Sequence, residues 1–439
     1  MRKVTFTLLA LCLFGLPIHS QTKAETEVRT LIKAKDFLML QHRYADVKDS
    51  LPPLLNTITE AYLDYAFNRP AQSIEKINSL MEHHQQDLDW WEELLPLVML
   101  WSEQLSIVGR YAESADILQA MLSQLRTVDF PVEGLNKAIE VIASFHRQSE
   151  ALRHTPPMTI RRLLTGSKKV RMTMDVPQTK IGWMVPVTIG NIKMDFLLDT
   201  GAAVNLMSNK DAKRLGVRIM ADSILVGGMG GLELMQLGII DTLRIGNVEC
   251  LNSLVWITYN EGILPKIIRD SLGFDTGPIL GIEILRSLGN VEISPRKHTV
   301  CFPKPVAAST MGTTSNMMLV ERSPRIEAHH NQTRLLLALD SGLSMSACMK
   351  ADSVNRYMNF VNTPQTEERL RLGGIGGIKG ANLEKLADFP LKVSNKEVKI
   401  ENAYAEAGKY DYDGLLGLHY FNRMDKIIFD FKKMTFTVK

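Results

Sequence analysis

Leu197-Leu198-Asp199-Thr200-Gly201-Ala202 is answered 141 residues later by Ala338-Leu339-Asp340-Ser341-Gly342-Leu343. Each stretch is an apolar run that ends in an aspartate, a hydroxyl residue and a glycine. A carboxylate at the end of a leucine-rich run is unfavourable unless something shares its charge or its proton. Two such sites in one chain make each aspartate the natural partner of the other. A third triplet, Asp275-Thr276-Gly277, has no Leu-Leu run ahead of it and meets Pro278, so Asp275 reads as a turn residue.

Outward from the two aspartates, further landmarks repeat in the same order. Leu225-Val226-Gly227-Gly228-Met229-Gly230-Gly231 follows Asp199, and Arg371-Leu372-Gly373-Gly374-Ile375-Gly376-Gly377 follows Asp340, at an offset of 146. Ile279-Leu280-Gly281 and Leu415-Leu416-Gly417 come next, at an offset of 136. From Gly281 the match runs without a gap to Phe302, against Gly417 to Val438. Val291-Glu292-Ile293-Ser294 falls on Ile427-Ile428-Phe429-Asp430, which predicts a strand, turn and strand closing each half. An internal duplication accounts for these offsets.

The two aspartates have a chemistry in common. Hydrolysis of a peptide needs a base to activate water and an acid to protonate the carbonyl oxygen or the leaving amine. Two carboxyls that share one proton supply both. Because close carboxylates cannot both ionise cheaply, such a pair titrates as a unit. No cofactor or metal is called for. Rival motifs are missing: Gly228-x-Gly230 and Gly374-x-Gly376 are followed at the last position of a dinucleotide fingerprint by Glu233 and Lys379. There is also no Gly-x-Ser-x-Gly elbow and no His-Glu-x-x-His helix.

The repeated motifs resemble those of the retropepsin-like and pepsin-like aspartic proteases, with two pseudo-symmetric lobes fused in one chain, over roughly residues 183–439. The resemblance implies that Asp199 and Asp340 are catalytic. It implies that Thr200 and Ser341 hydrogen-bond across to the opposite lobe, and that Gly201 and Gly342 let the two backbones approach. The segments 279–281 and 415–417 would thread behind the catalytic loops. Gly227, Gly228, Met229 and Gly230, with Gly373, Gly374, Ile375 and Gly376, would form flaps over a polypeptide substrate in extended conformation. Plain glycine-rich turns between strands are the alternative for these loops. With both aspartates in one chain, no homodimer is required to build the site. Ala202 and Leu343 stand where pepsin-like enzymes usually carry a hydroxyl residue. Fewer donors to the ionised form imply a dyad active at weakly acidic to near-neutral pH.

The rest of the chain sets bounds. With 45% hydrophobic and 23% charged residues over 439 positions, it holds enough apolar sequence for two or three domains. A net charge of +3 and no long basic run argue against nucleic acid as a partner. Arg2-Lys3, an apolar run from Val4 to Leu16 and Pro17 to Gln21 read as a cleavable signal peptide over 1–20. That run is too short to span a bilayer, so no membrane span remains after cleavage. A periplasmic or extracellular location follows, in a cell of bacterial type. Cys250, Cys301 and Cys348 are widely spaced, and no disulfide framework or zinc spacing follows from them.

Residues 21–155 carry helical periodicity, as in Ala115, Leu118, Leu122 and Leu125. The turns at Asn68-Arg69-Pro70 and Gly109-Arg110-Tyr111 stand 41 residues apart, which predicts helical hairpins, tetratricopeptide-like or a plain bundle. A protein partner could dock on this domain. Trp90, Trp91 and Trp101 read as core or as a groove lining. Pro156-Pro157 ends the pattern. The expected architecture is therefore α plus all-β: a helical hairpin domain, then a bilobal acid-protease-like pair of β-barrels over 170–302 and 317–439, joined by a linker at 303–316. The function expected is a secreted or periplasmic aspartic endopeptidase. An inactive peptide- or protein-binding module and a self-processing enzyme with a removable helical pro-segment remain open.

Overall fold

The 41-residue spacing of the helical turns reappears as a repeated backbone device. The computed structural model describes residues 22–127, 134–174, 182–228, 231–264, 266, 269–270, 275–305, 315–358, 367–374, 377–408 and 410–439. The chain divides into two compact units, Met1–Pro157 and Met158–Lys439. The expected signal segment lies outside the described residues.

In the first unit, helices pair as Lys23–Lys33 with Phe37–Val47, Pro53–Ala66 with Pro70–His83, and Leu95–Ile107 with Tyr111–Leu125, before a last helix Leu135–Ala151. Each pair is joined through a left-handed residue: Lys35 at φ 55°, Asn68 at φ 55° and Gly109 at φ 77°. The next N–H in each turn (Asp36, Arg69, Arg110) reaches back to the carbonyls of Leu31, Asp64 and Leu105 at 3.1, 2.8 and 2.8 Å. This geometry satisfies carbonyls that the helix end leaves open. Ser73 and Ser114, 41 residues apart, each donate from a buried hydroxyl to the facing helix, at Ala61 O (3.0 Å) and Ser102 O (3.2 Å). The apolar faces of the second and third pairs and of the last helix meet in a core that includes Leu80, Leu97, Leu105, Leu118 and Met121. Trp101 belongs to that core, whereas Trp91 is exposed. The first hairpin turns on Lys35, with neither glycine nor proline, and has no signature in the spacing.

Among the described residues, the second unit is built from three sheets. The first has nine strands. Its middle runs Val248–Thr258, Leu206–Ser208, Ile279–Leu280, Ile192–Leu198, Trp183–Ile189, Gly231–Ile245. The two-residue strand Ile279–Leu280 lies parallel to Ile192–Leu198, with Ile279 beside Leu197, and antiparallel to Leu206–Ser208. The ten-stranded second sheet repeats this: Gly414–Leu416 lies parallel to Thr333–Leu339, with Ala338 beside Leu415, and antiparallel to Ala347–Lys350. Strict alternation of burial along Trp183–Ile189 marks a strand with one face inward. Leu335–Leu339 is buried on both faces, as a strand covered on both sides must be.

Two features depart from the reading of the sequence. Thr159–Arg162 pairs with Val248–Thr258, so the first sheet begins ahead of residue 170. The two closing hairpins do not each seal their own half. Instead Asn290–Ser294 and Ile427–Asp430 lie side by side, Val291 against Phe429 and Ile293 against Ile427, at the centre of a shared five-stranded sheet. Matching sequence had marked these strands as copies; strands of like pattern, each with one free edge, also satisfy each other's hydrogen bonds. Of the expected linker, residues 306–314 lie outside the described residues. Among the described residues, no helix is long and apolar enough to cross a membrane.

Candidate active site

Asp199 and Asp340 each follow directly on the buried end of a strand, Ile192–Leu198 and Thr333–Leu339. The thread strand behind each one fixes its backbone: Asp199 N–H donates to Leu280 O at 3.0 Å and Asp340 N–H to Leu416 O at 2.9 Å. Each chain then turns sharply under its own carboxylate. Gly201 and Ala202 donate from backbone N–H to Asp199 Oδ1 at 2.8 and 3.3 Å. Gly342 and Leu343 do the same for Asp340 Oδ1 at 2.9 and 3.1 Å. Residues 202 and 343 therefore contribute through their backbone, independent of side chain.

The hydroxyl residues cross over. Thr200 Oγ1 donates to Leu339 O at 3.0 Å and accepts from Ser341 N–H at 3.0 Å. In return Ser341 Oγ donates to Leu198 O at 2.8 Å and accepts from Thr200 N–H at 3.0 Å. Both residues are buried. Four hydrogen bonds thus lock the two loops in register across the boundary between the first and second sheets. A Cβ on Gly342 would lie 2.6 Å from Asp199 Oδ2, and one on Gly201 would strike the Asp340 carboxyl. Only glycine admits so close an approach.

The Asp340 carboxyl lies against Gly201 and the Asp199 carboxyl against Gly342, which makes the two carboxyls neighbours. Both residues keep some solvent exposure, yet each carboxyl sits deep, with protein around it on most sides. Burial raises the pKa of Asp199, opposed by hydrogen bonds from Gly201, Ala202 and Asp340. Burial also raises Asp340, and there the charge of Asp199 adds to it. The two carboxyls therefore titrate as one unit, with a single proton held between them.

Gly227 and Gly228 end the strand Arg218–Gly228, opposite Leu232 and Gly231. Gly373 and Gly374 end Glu367–Gly374, opposite Ile378 and Gly377. Both glycine-rich motifs thus reach the ends of antiparallel hairpins, while Met229, Gly230, Ile375 and Gly376 lie outside the described residues. Asp275 stands apart from the dyad and accepts from the N–H groups of Ile263, Leu264 and Thr276 at 3.1, 3.0 and 3.0 Å, a turn residue.

Residues 185–283 match the aspartyl protease family model. The matched segment spans the Asp199-Thr200-Gly201 loop and its thread strand, and the fold there is aspartic protease-like. No curated protein sequence matches the chain. Among solved structures, basic 7S globulin from soybean is 9% identical and aligns over 64% of this chain and 95% of its own, with a TM-score of 0.38. Conglutin gamma from lupine seeds gives 10%, 65%, 95% and 0.37. A retropepsin-like aspartic protease from Rickettsia conorii is 15% identical over 33% of this chain and 90% of its own, with a TM-score of 0.21. At such scores these likenesses carry no weight beside the site itself.

Several site residues escape the motifs. Asn205 Oδ1 accepts from Gly281 N–H at 3.0 Å while its Nδ2 donates to Leu254 O at 2.8 Å. In the second half a backbone carbonyl, Ser346 O, receives Gly417 N–H at 2.9 Å. Trp183 packs on Phe421 and donates from Nε1 to Asn422 Oδ1 at 2.9 Å, a further tie between the halves. Among the described residues no group of three or more His, Cys, Asp or Glu side chains is placed to hold a metal ion.

Proposed function

We propose that the chain is an aspartic endopeptidase whose Asp199 and Asp340 activate water jointly. The observation that carries this reading is the pair of neighbouring carboxyls, each set against the other loop's glycine and held there by the crossed Thr200 and Ser341 bonds. Asp199 acts as general base and takes a proton from water as its oxygen attacks the scissile carbonyl carbon. Asp340 gives its proton to the carbonyl oxygen. Collapse of the tetrahedral intermediate breaks the C–N bond, and a proton returned through the pair leaves with the amine.

On this reading the first and second sheets are the two lobes of one protease. The hairpins that end at Gly228 and Gly374 are its flaps, and an extended peptide lies between them, adding a strand's worth of backbone pairing. One chain suffices for the site. The helical hairpins, tetratricopeptide-like in their paired stacking, offer a surface for a protein partner. The basic and apolar N-terminus directs the enzyme to the periplasm or outside the cell.

The test is direct. Purified protein incubated with a denatured polypeptide releases fragments, and Asp199→Asn or Asp340→Asn lowers the rate by at least about 10²–10⁴-fold. Single variants as active as the parent would remove the shared-proton mechanism. Absence of cleavage by the parent, with peptide still bound, would favour the inactive binding module.

A further inference from the structure

The two halves of the site are not chemically equivalent, and the difference centres on a buried arginine. Met184 pairs across the strands with Leu197, two residues before Asp199. Arg325 pairs with Ala338, two residues before Asp340. Alternation along a strand puts residues 338 and 340 on one face, so Arg325 stands beside the face that carries the Asp340 carboxyl. The loops leading into the thread strands differ to match: Asp275-Thr276-Gly277-Pro278 on one side, Asp411-Tyr412-Asp413-Gly414 on the other.

Arg325 is 2% exposed. Its Nη2 donates to Asp411 Oδ1 at 3.0 Å, and the Asp411 side chain is itself 30% exposed. The Tyr412 ring lies 5.0 Å from the guanidinium carbon. Nε and Nη1 have no hydrogen-bond partner among the described residues. Tyr412 is half-buried, stacked on Tyr410 with ring centroids 5.1 Å apart, and Tyr410 is fixed by its hydroxyl donating to Glu406 Oε2 at 2.8 Å. Burial first, and then the charges of Asp411 and Asp340, hold the Tyr412 hydroxyl above its usual range, with Arg325 opposing them. A buried guanidinium with two idle nitrogens, carrying three N–H groups, is unfavourable unless an acceptor reaches it, because desolvated donors cost about 1–3 kcal/mol each.

We propose that Arg325, with Ala338 as floor and Tyr412 as wall, forms a specificity pocket on the Asp340 side of the cleft for a substrate side chain ending in an acceptor oxygen, glutamate foremost. The proposal rests on the protease reading of the same site. The acceptor enters past the Tyr412 ring and takes the N–H groups that Asp411 leaves. Carboxylate outranks amide because its own negative charge adds to the guanidinium's pull and its two oxygens can take two N–H groups at once. Lysine is rejected by like charge, and leucine leaves both donors unpaired. The Asp199 side, with Met184 in the matching place, accepts apolar side chains.

A peptide series tests this, identical except for Glu, Gln, Leu or Lys placed in turn at each position flanking the scissile bond. The wild-type protein should cut the Glu peptide with a kcat/KM about tenfold or more above the Leu and Lys peptides at one position on one side only. Arg325→Met, which installs the residue of the matching position, should reverse the order of Glu and Leu there. Equal or poorer cleavage of Glu at every position by the wild type, or a Glu preference that survives in Arg325→Met, overturns the pocket. The wild-type series decides even if the variant does not fold. If the wild type cuts none of the peptides, the protease reading itself fails, a result distinct from cleavage without preference.

Discussion

The dyad's behaviour is set by the proton its two carboxyls share. Burial, and then the charge of Asp199, push Asp340 up to about 8, whereas an unfolded aspartate titrates near about 3.9. A carboxyl whose folded pKa lies above its unfolded value stabilises the fold below the unfolded pKa. That contribution is lost as pH rises through the folded value. Thermal melts of the parent should therefore lose stability between about pH 4 and pH 8. Asp340→Asn should flatten the loss and be more stable than the parent at pH 8 by roughly 1 kcal/mol or more. The alkaline limb of the parent's pH–rate profile should fall near neutrality, and a maximum near pH 2 to 3 would contradict the assignment. Thr200→Val removes a buried donor to Leu339 O and the acceptor of Ser341 N–H. It should cost about 2–6 kcal/mol. Combined with Ser341→Ala, the loss should be less than additive, since both substitutions break one lattice.

Among elements, the helical hairpins give the sharpest contrast. Lys35 and Gly109 hold the same place in their turns, both left-handed, at φ 55° and 77°. A side chain in that region is strained and glycine is not. Lys35→Gly should stabilise the helical unit by up to about 1 kcal/mol. Gly109→Ala should destabilise it by more than that, because its Cβ would also strike Pro157. Thermal melts of the full chain followed by circular dichroism read both. Proline and glycine made the second and third turns legible in the sequence. Lysine concealed the first, since the turn is enforced by the packing of its helices and not by the residue's own preference.

Across the whole molecule, the shared five-stranded sheet makes the two halves of Met158–Lys439 depend on each other. Ile293 is buried opposite Ile427 at its centre. Ile293→Ala should cost about 2–5 kcal/mol. The substitution lies away from the dyad, so an urea titration with probes in each half should still report one coincident transition. Two separated transitions would show that the crossed hydroxyl bonds alone hold the site together.

The paired Asp-Thr-Gly and Asp-Ser-Gly loops, the thread strands and the order of the glycine-rich hairpins were legible in the sequence. Their residue types answer to local demands: an apolar run to make a buried strand, a glycine where Asp340 or Asp199 leaves no room, a hydroxyl to donate and accept at once. Asn205 and Arg325 were not legible, because a polar residue six positions after an aspartate, or fifteen before one, has no periodicity to mark it. Their roles arise when distant strands are laid side by side, Arg325 beside Ala338 and Asn205 behind Gly281. So too with the joining of the halves, where matching patterns showed two copies and only the free edges of folded strands decided that the copies would pair.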